Sequence, residues 1–370
     1  MFALKNIVKM NSNLKKIAVL CNYEILPERV GGMDYFFWQF DAKCKENNIK
    51  VDWFFPNQSA HGEYSGLTIK DSNHQNVESF FLKTYKEQKL EYSHIITHFV
   101  ELCTPFFYKI SQVSYAKIIA VDHNPRPLKG YTFKKRLEKK AKGILFSRYI
   151  DVFVGVSDYS RNELIMEFGF SISKKTIIIF NGLETEKFKK KTIFEFKNRF
   201  IVASHLREDK GIQDLIIAVN DLNKQLKVNL KIDIYGKGYY EEDLKSLIRQ
   251  FSLSSIFSFK GSVSNLNEIY CDYDYLIHPS HGETFCYSVV ESLLSNLPVI
   301  TTRNQGNVLG LVQENSNGFL FEVAKTNELK TILEKIISKE YHIGDFSLQN
   351  EKVNTLSLEK MVENHFKLIQ

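Results

Sequence analysis

The chain has 370 residues, 44% of them hydrophobic, and a net charge of +6. That is too long for one ordinary core, so two domains of roughly 150 to 200 residues are expected. Cys21, Cys44, Cys103, Cys271 and Cys286 are odd in number and scattered without a C-x-x-C pair, which argues against a disulfide framework and a zinc site. No apolar run approaches the ~18 residues of a membrane-spanning helix, and residues 1–16 lack the apolar core of a signal peptide. A cytoplasmic protein is expected.

Strand-like apolar runs alternate with amphipathic stretches, the mark of α/β architecture with mainly parallel sheets. In the first half, strands are expected at 17–21, 51–55, 94–97, 117–121, 151–156 and 176–180. Gly31-Gly32 stands between the first of these and a helix containing Phe36, Phe37, Trp38 and Phe40. Such a pair either lets backbone approach a phosphate or an acceptor closely or simply makes a tight turn. His98 and His123 each follow a strand end. In a parallel sheet both are expected to project toward a cleft, with a loop-capping role open for either. Asp122 or Asn124 is placed to orient the His123 ring, and Arg126 and Lys129 follow as contacts for a phosphate on an acceptor.

Across 129–148, Lys129, Lys134, Lys135, Arg136, Lys139, Lys140, Lys142 and Arg148 face the single acid Glu138, interspersed with Phe133, Leu137, Ile144, Leu145 and Phe146. As a helix this stretch has one basic and one apolar face. Two readings stay open. The helix lies on anionic lipid at the inner face of the cell membrane, each surface cation adding about 1 kcal/mol, or its apolar side packs on its own domain. No nucleic-acid module surrounds the patch, so nucleic acid is not an expected partner.

The charged segment 184–199 has the composition of a linker. The chain therefore divides into 1–185, 186–350 and a terminal stretch 351–370, in which Leu358, Met361, Phe366 and Ile369 mark an amphipathic helix. Strands are expected again at 200–204, 231–235, 256–259, 275–278, 298–302 and 318–321. Lys210 precedes Gly211 at a strand-to-helix turn, and the helix at 212–226 supplies free N–H groups beside it. Tyr235-Gly236-Lys237-Gly238 is too short for a dinucleotide fingerprint and reads as a floor beneath a base or diphosphate.

His278-Pro279-Ser280-His281-Gly282-Glu283-Thr284-Phe285-Cys286, followed by Glu291, is the most informative stretch. A buried strand runs into a loop and then a helix expected at 285–296. The N-terminus of that helix offers N–H groups and about half a positive charge. Glu283 stands at its mouth and Glu291 about two turns inside. Because helical side chains lean toward the N-terminus, the two carboxylates are at most ~12 Å apart, roughly the reach of a nucleotide sugar.

This arrangement resembles the E-x7-E element of retaining glycosyltransferases of family four, which have the GT-B fold. Gly31-Gly32, Val156-Ser157, Asn181-Gly182, Ser204-His205-Leu206 through Lys210-Gly211, Gly236, Gly261, Pro279-Ser280, Glu283, Glu291 and Pro298-Val299 follow in the order usual for that family. The resemblance covers nearly the whole chain. It implies two Rossmann-like domains with mainly parallel sheets facing a cleft, the acceptor on the first domain, the donor on the second, and a terminal helix crossing back.

It also implies roles. Lys210 stabilises the leaving diphosphate; Glu291 accepts bonds from ribose hydroxyls; Glu283, with the backbone of Thr284, Phe285 and Cys286, holds the hexose. His123 touches the donor sugar, Gly32 and Gly236 complete the donor site, and Gly31, His98 and Arg126 face the acceptor. Where the family has an arginine, this chain has His205, and Arg207 is the expected second phosphate contact. Gly-Phe-Gly of the family is here Thr284-Phe285-Cys286, which implies a narrower pocket. Transfer is expected to retain configuration with no protein nucleophile. Asp272-Tyr273-Asp274 has a metal-binding pattern, but GT-B enzymes generally use protein cations, so neither metal nor cofactor is expected. The partners implied are a nucleotide sugar and a glycan or lipid-linked acceptor. The alternatives are a sugar-nucleotide epimerase or hydrolase on the same fold, and a non-catalytic partner of a transferase.

Overall fold

The computed structural model describes residues 15–27, 30–124, 126–127, 130–226, 229–346 and 351–370. Lys129 and residues 1–14 lie outside them. The first domain carries β1 (Lys16–Cys21), β2 (Lys50–Phe55), β3 (Thr68–Asp71), β4 (His94–His98), β5 (Lys117–Asp122), β6 (Val152–Gly155) and β7 (Thr176–Ile178). The second carries β8 (Arg199–Ala203), β9 (Lys231–Tyr235), β10 (Phe257–Gly261), β11 (Tyr275–His278), β12 (Val299–Thr302) and β13 (Gly318–Phe321).

Among the described residues each domain is built on one sheet, in the orders β3-β2-β1-β4-β5-β6-β7 and β10-β9-β8-β11-β12-β13. All pairings within them are parallel. Parallel sheets covered by helices on both faces need continuous apolar strands. The sequences Lys16–Cys21 and Lys50–Phe55 meet this, each with five successive buried residues after an N-terminal lysine. Only β3 escapes a sequence reading. It is a four-residue edge strand, partly exposed throughout, and T-I-K-D shows neither alternation nor an apolar run.

Helices cover the sheets through stripes at helical spacing. Helix Ile212–Leu226 buries Ile212, Leu215, Ile216, Val219 and Leu222, and helix Gly32–Glu46 buries Phe36, Phe37, Phe40 and Cys44. Strand order reverses around β1 in one sheet and β8 in the other. Ligands of open α/β sheets bind at such switch points, beyond the carboxyl ends of the strands. The loops leaving β1 and β8 are those that carry Gly31-Gly32 and Lys210.

At Leu356 the chain meets the first domain. Leu183 N–H donates to Leu356 O (3.0 Å) and Leu358 N–H to Leu183 O (2.8 Å). Helix Leu358–Lys367 then packs on helix Gly32–Glu46, with the His365 ring 4.7 Å from Phe36 and Lys43 Nζ 3.4 Å from Glu363.

Candidate active site

The loop leaving β8 closes in a single 3-10 turn, Glu208–Lys210, and Gly211 follows at φ +68°. A Cβ on Gly211 would stand 2.0 Å from the Pro279 carbonyl, so the lysine turn is pressed against the loop leaving β11. This contact aims Lys210 inward. Its ammonium is buried, 2.7 Å from Glu283 Oε1 and 3.8 Å from Asp209. The same Glu283 oxygen accepts from Ser280 Oγ at 2.8 Å and meets His278 Nε2 at 3.0 Å. Burial pushes the Glu283 carboxyl up, but Lys210 and His278 outweigh it and hold the group well below the usual carboxylate range. Glu283 is thus a fixed anion beside a fixed cation.

Arg207 opens the same turn, its guanidinium 3.0 Å from Asp209. Arg207 Nε, Ser204 Oγ and Tyr287 Oη are buried and make no hydrogen bond among the described residues. Buried donors of this kind are rare in folded proteins. Gly236, after β9, donates its N–H to Gly261 O at 2.8 Å and forms backbone beside the loop of Ser204.

The helix after the β11 loop is Tyr287–Leu294, shorter at both ends than its sequence pattern suggests. Cys286, immediately before it, has φ +67° and ψ +75°. L-residues with a Cβ avoid that left-handed region, whereas glycine enters it freely. The third residue of Thr284-Phe285-Cys286 therefore keeps a glycine backbone while carrying a buried thiol. Phe285 is buried, and Thr284 Oγ1 donates across to the His123 carbonyl at 3.4 Å. Inside the helix, Glu291 Oε2 accepts from Tyr270 Oη at 2.8 Å. Burial raises the Glu291 carboxyl, which Tyr270 opposes.

Glu291 lines a cleft of about 740 Å³ together with Gly31, Gly32, Tyr35, Lys237 and Val263, within the size range of small-molecule sites. The first domain enters through its glycine loop. Gly31 N–H donates to Asp34 Oδ2 (2.9 Å), and the buried Asp34 also accepts from Tyr23 (2.8 Å) and Tyr64 (2.5 Å). A Cβ on Gly32 would lie 2.4 Å from the Tyr287 ring, so the two domains touch through a position where no side chain fits.

Three expectations for the first domain change. His98 is 1% exposed, enclosed by Phe36, Phe37 and His365, and its Nδ1 lies 2.9 Å from His123 Nε2. Asp122 does not orient the His123 ring. It binds Arg126 (2.5 Å), while His123 stacks on Phe99 with ring centroids 4.3 Å apart. Arg126 is turned inward between Asp122 and Glu167 (2.9 Å), so its charge is committed away from an acceptor. The causes differ: His98 is covered by the returning helix through His365, whereas Arg126 is drawn inward by the buried acids Asp122 and Glu167, and strand position alone reveals neither.

Asp274, the second acid of Asp272-Tyr273-Asp274, accepts from the backbone N–H groups of Lys197 (2.9 Å) and Arg199 (2.8 Å) and so pins the start of β8. His278, Glu283 and Cys286 offer three possible ligand atoms within 4.8 Å. Lys210 already binds the Glu283 oxygen there, and burial and Glu283 push the Cys286 thiol well up, against the thiolate a metal requires.

Tyr270, Tyr287, Asp34 and His278 were not assigned roles from sequence. His278 lay within the informative stretch, but Tyr270 meets Glu291 from a separate element, and nothing in their spacing announces it.

The sequence model of the family described as Glycosyl transferases group 1 matches residues 184–353. A UDP-N-acetylglucosamine–peptide N-acetylglucosaminyltransferase GtfA subunit of Streptococcus gordonii is 29% identical over 139 residues, 38% of this chain and 27% of that protein. An N-acetylgalactosamine-N,N'-diacetylbacillosaminyl-diphospho-undecaprenol 4-alpha-N-acetylgalactosaminyltransferase of Campylobacter jejuni is 26% identical over 190 residues, 50% of this chain and 51% of that protein. The aligned stretches thus span about a quarter to a half of these relatives. Among solved structures, Anabaena HepE in complex with UDP-glucose superposes with a TM-score of 0.73 at 16% identity, covering 96% of this chain and 99% of HepE. Residues 184–353 thus resemble the glycosyl transferases group 1 family, and the chain as a whole has the two-domain GT-B fold seen in HepE.

Proposed function

We propose that the protein is a retaining glycosyltransferase that moves a hexose from a nucleoside-diphosphate sugar to a glycan or lipid-linked glycan, in the synthesis of a surface polysaccharide. The observation that carries this reading is the buried Lys210 ammonium beside Glu283, at the mouth of the helix that presents Glu291 to the cleft.

Breaking the glycosidic bond concentrates charge on the leaving diphosphate, so a preorganised cation there lowers the barrier. In this reading Lys210 meets the diphosphate, joined by Arg207 Nε and the Ser204 hydroxyl, both buried without a hydrogen-bond partner among the described residues. These cations compensate the charge, so transfer is expected to proceed without metal and to tolerate chelators. Glu291 accepts the ribose hydroxyls, for which its ionised form is the better acceptor. His123 and the amides around Phe285 hold the sugar.

Glu283 is a poor nucleophile, because three donors surround one oxygen and its charge is strongly stabilised. That favours front-face attack, in which the acceptor hydroxyl gives its proton to the departing phosphate, over a covalent sugar–enzyme intermediate. HepE was solved with UDP-glucose, which makes uridine sugars the first donors to try. The test is thermal stabilisation against UDP- and GDP-sugars, followed by product analysis. A donor at 100 times its dissociation constant adds about 2.7 kcal/mol. No stabilisation by any donor, or free sugar or an epimer as the sole product in the presence of acceptor, counts against transfer.

A further inference from the structure

The helix Phe133–Phe146 presents its apolar residues outward. Phe133 is 78% exposed, Leu137 54%, Ile144 76% and Leu145 52%, and Gly143 is the helix's buried residue. At about 100° per residue, Phe133, Leu137 and Ile144 fall within about 40° of one another, forming a stripe along the outer face. The domain's own core therefore does not account for them.

The cations divide by side. Those away from the stripe are paired: Lys135 with Glu138 at the surface, Lys139 with the buried Glu167, and Lys142 with Glu101 and Glu138. Lys134, Arg136, Lys140 and Arg148 have no acid partner among the described residues. The first three lie on the helix itself, flanking the stripe, and Arg148 follows just after it. An apolar line edged by unpaired cations fits the boundary of an anionic bilayer, where apolar side chains enter the acyl region and lysines and arginines meet phosphates. A second copy of this face would set its four cations against four others, which disfavours self-pairing. No helix among the described residues is long and apolar enough to cross a membrane, so the contact is peripheral.

We propose that this face docks on an anionic lipid surface, with Phe133, Leu137, Ile144 and Leu145 inserted and Lys134, Arg136, Lys140 and Arg148 on the headgroups. The helix begins shortly after His123 and Arg126, whose backbone touches Thr284 and approaches the Gly282 position. Docking therefore anchors the element whose preceding segment meets Gly282 and Thr284. It selects a lipid-anchored acceptor, and this last step rests on the transfer reading above.

The test is cosedimentation of the full chain with phosphatidylcholine vesicles, with and without phosphatidylglycerol. Binding is expected with phosphatidylglycerol only, and it weakens as salt rises. Lys134→Gln/Lys140→Gln lowers partitioning on the order of 30-fold, and Leu137→Ser/Ile144→Ser on the order of tenfold or more. Both variants alter exposed positions and keep their stabilisation by donor, which separates failure of docking from failure of the transfer reading. Absent binding of the unaltered protein, binding that neither variant weakens, or a loss confined to self-association in the ultracentrifuge overturns the proposal.

Discussion

Lys210 Nζ and Glu283 Oε1 lie 2.7 Å apart although 73 positions separate them in sequence. The pair ties the loop of one switch-point strand to the loop of its neighbour, and donor binding must redirect the lysine from carboxylate to diphosphate. Lys210→Met is expected to lower kcat by about 10²- to 10³-fold, the usual effect of losing one charge-stabilising donor. It also strands a buried carboxylate, which is destabilising. Lys210→Met/Glu283→Gln should regain stability in urea melts without regaining turnover. Recovery of both would assign the lysine a purely structural role.

Glu291 and Tyr270 form a second coupled pair. Glu291→Ala is expected to raise the donor KM about 10- to 100-fold, the range for a lost hydrogen bond to a charged group. Tyr270→Phe should raise it only a few-fold, with kcat held. Because burial raises the Glu291 carboxyl, donor affinity should begin to fall on acidification above the usual carboxylate range. Calorimetric titration of UDP at several pH values checks this, and Glu291→Gln should flatten that limb.

The contact of Gly32 with Tyr287 predicts a size-dependent defect. Gly32→Ala places a Cβ where the ring already stands and should raise KM and lower kcat together by obstructing approach of the domains. Gly32→Ala/Tyr287→Ala should restore much of the loss. If the double variant is no better than the single, the glycine acts through its turn and not through this clearance.

Acid stability follows from His98, His123 and His365. Burial is the leading cause that depresses all three, His123 to about 3 and His365 to about 4, with His98 well below its ordinary value. The folded state binds fewer protons than the unfolded one. Stability from these groups is therefore present above about pH 6.5 and lost as pH falls toward the folded values. Urea midpoints should drop steadily below pH 6.5, and His365→Gln should make that slope shallower.

The alternation of apolar runs with amphipathic stretches made β1, β2 and β8 to β13 readable, because parallel strands buried on both faces leave continuous apolar sequence. The positions of Lys210, Glu283 and Glu291 in the fold were legible for a different reason: the first two sit in strand-to-helix loops and the third in the helix that follows, so their spacing is local. What was not legible depends on topology. His98 looked equivalent to His123 at a neighbouring strand end, but the returning helix Leu358–Lys367 encloses His98, while the His123 backbone meets Thr284 of the second domain. Amphipathicity of residues 133–146 likewise did not say which face points outward. Cys286 stood out as a departure from glycine, yet only the backbone reveals that the glycine conformation was kept.

The most direct test of the account is a crystal structure with UDP-glucose or another stabilising donor in the cleft. The account predicts Lys210 Nζ within hydrogen-bonding distance of the diphosphate and the Glu291 carboxylate on the ribose hydroxyls. A nucleotide bound elsewhere, with the Lys210 to Glu283 pair intact and Glu291 turned away from the ribose, would contradict it.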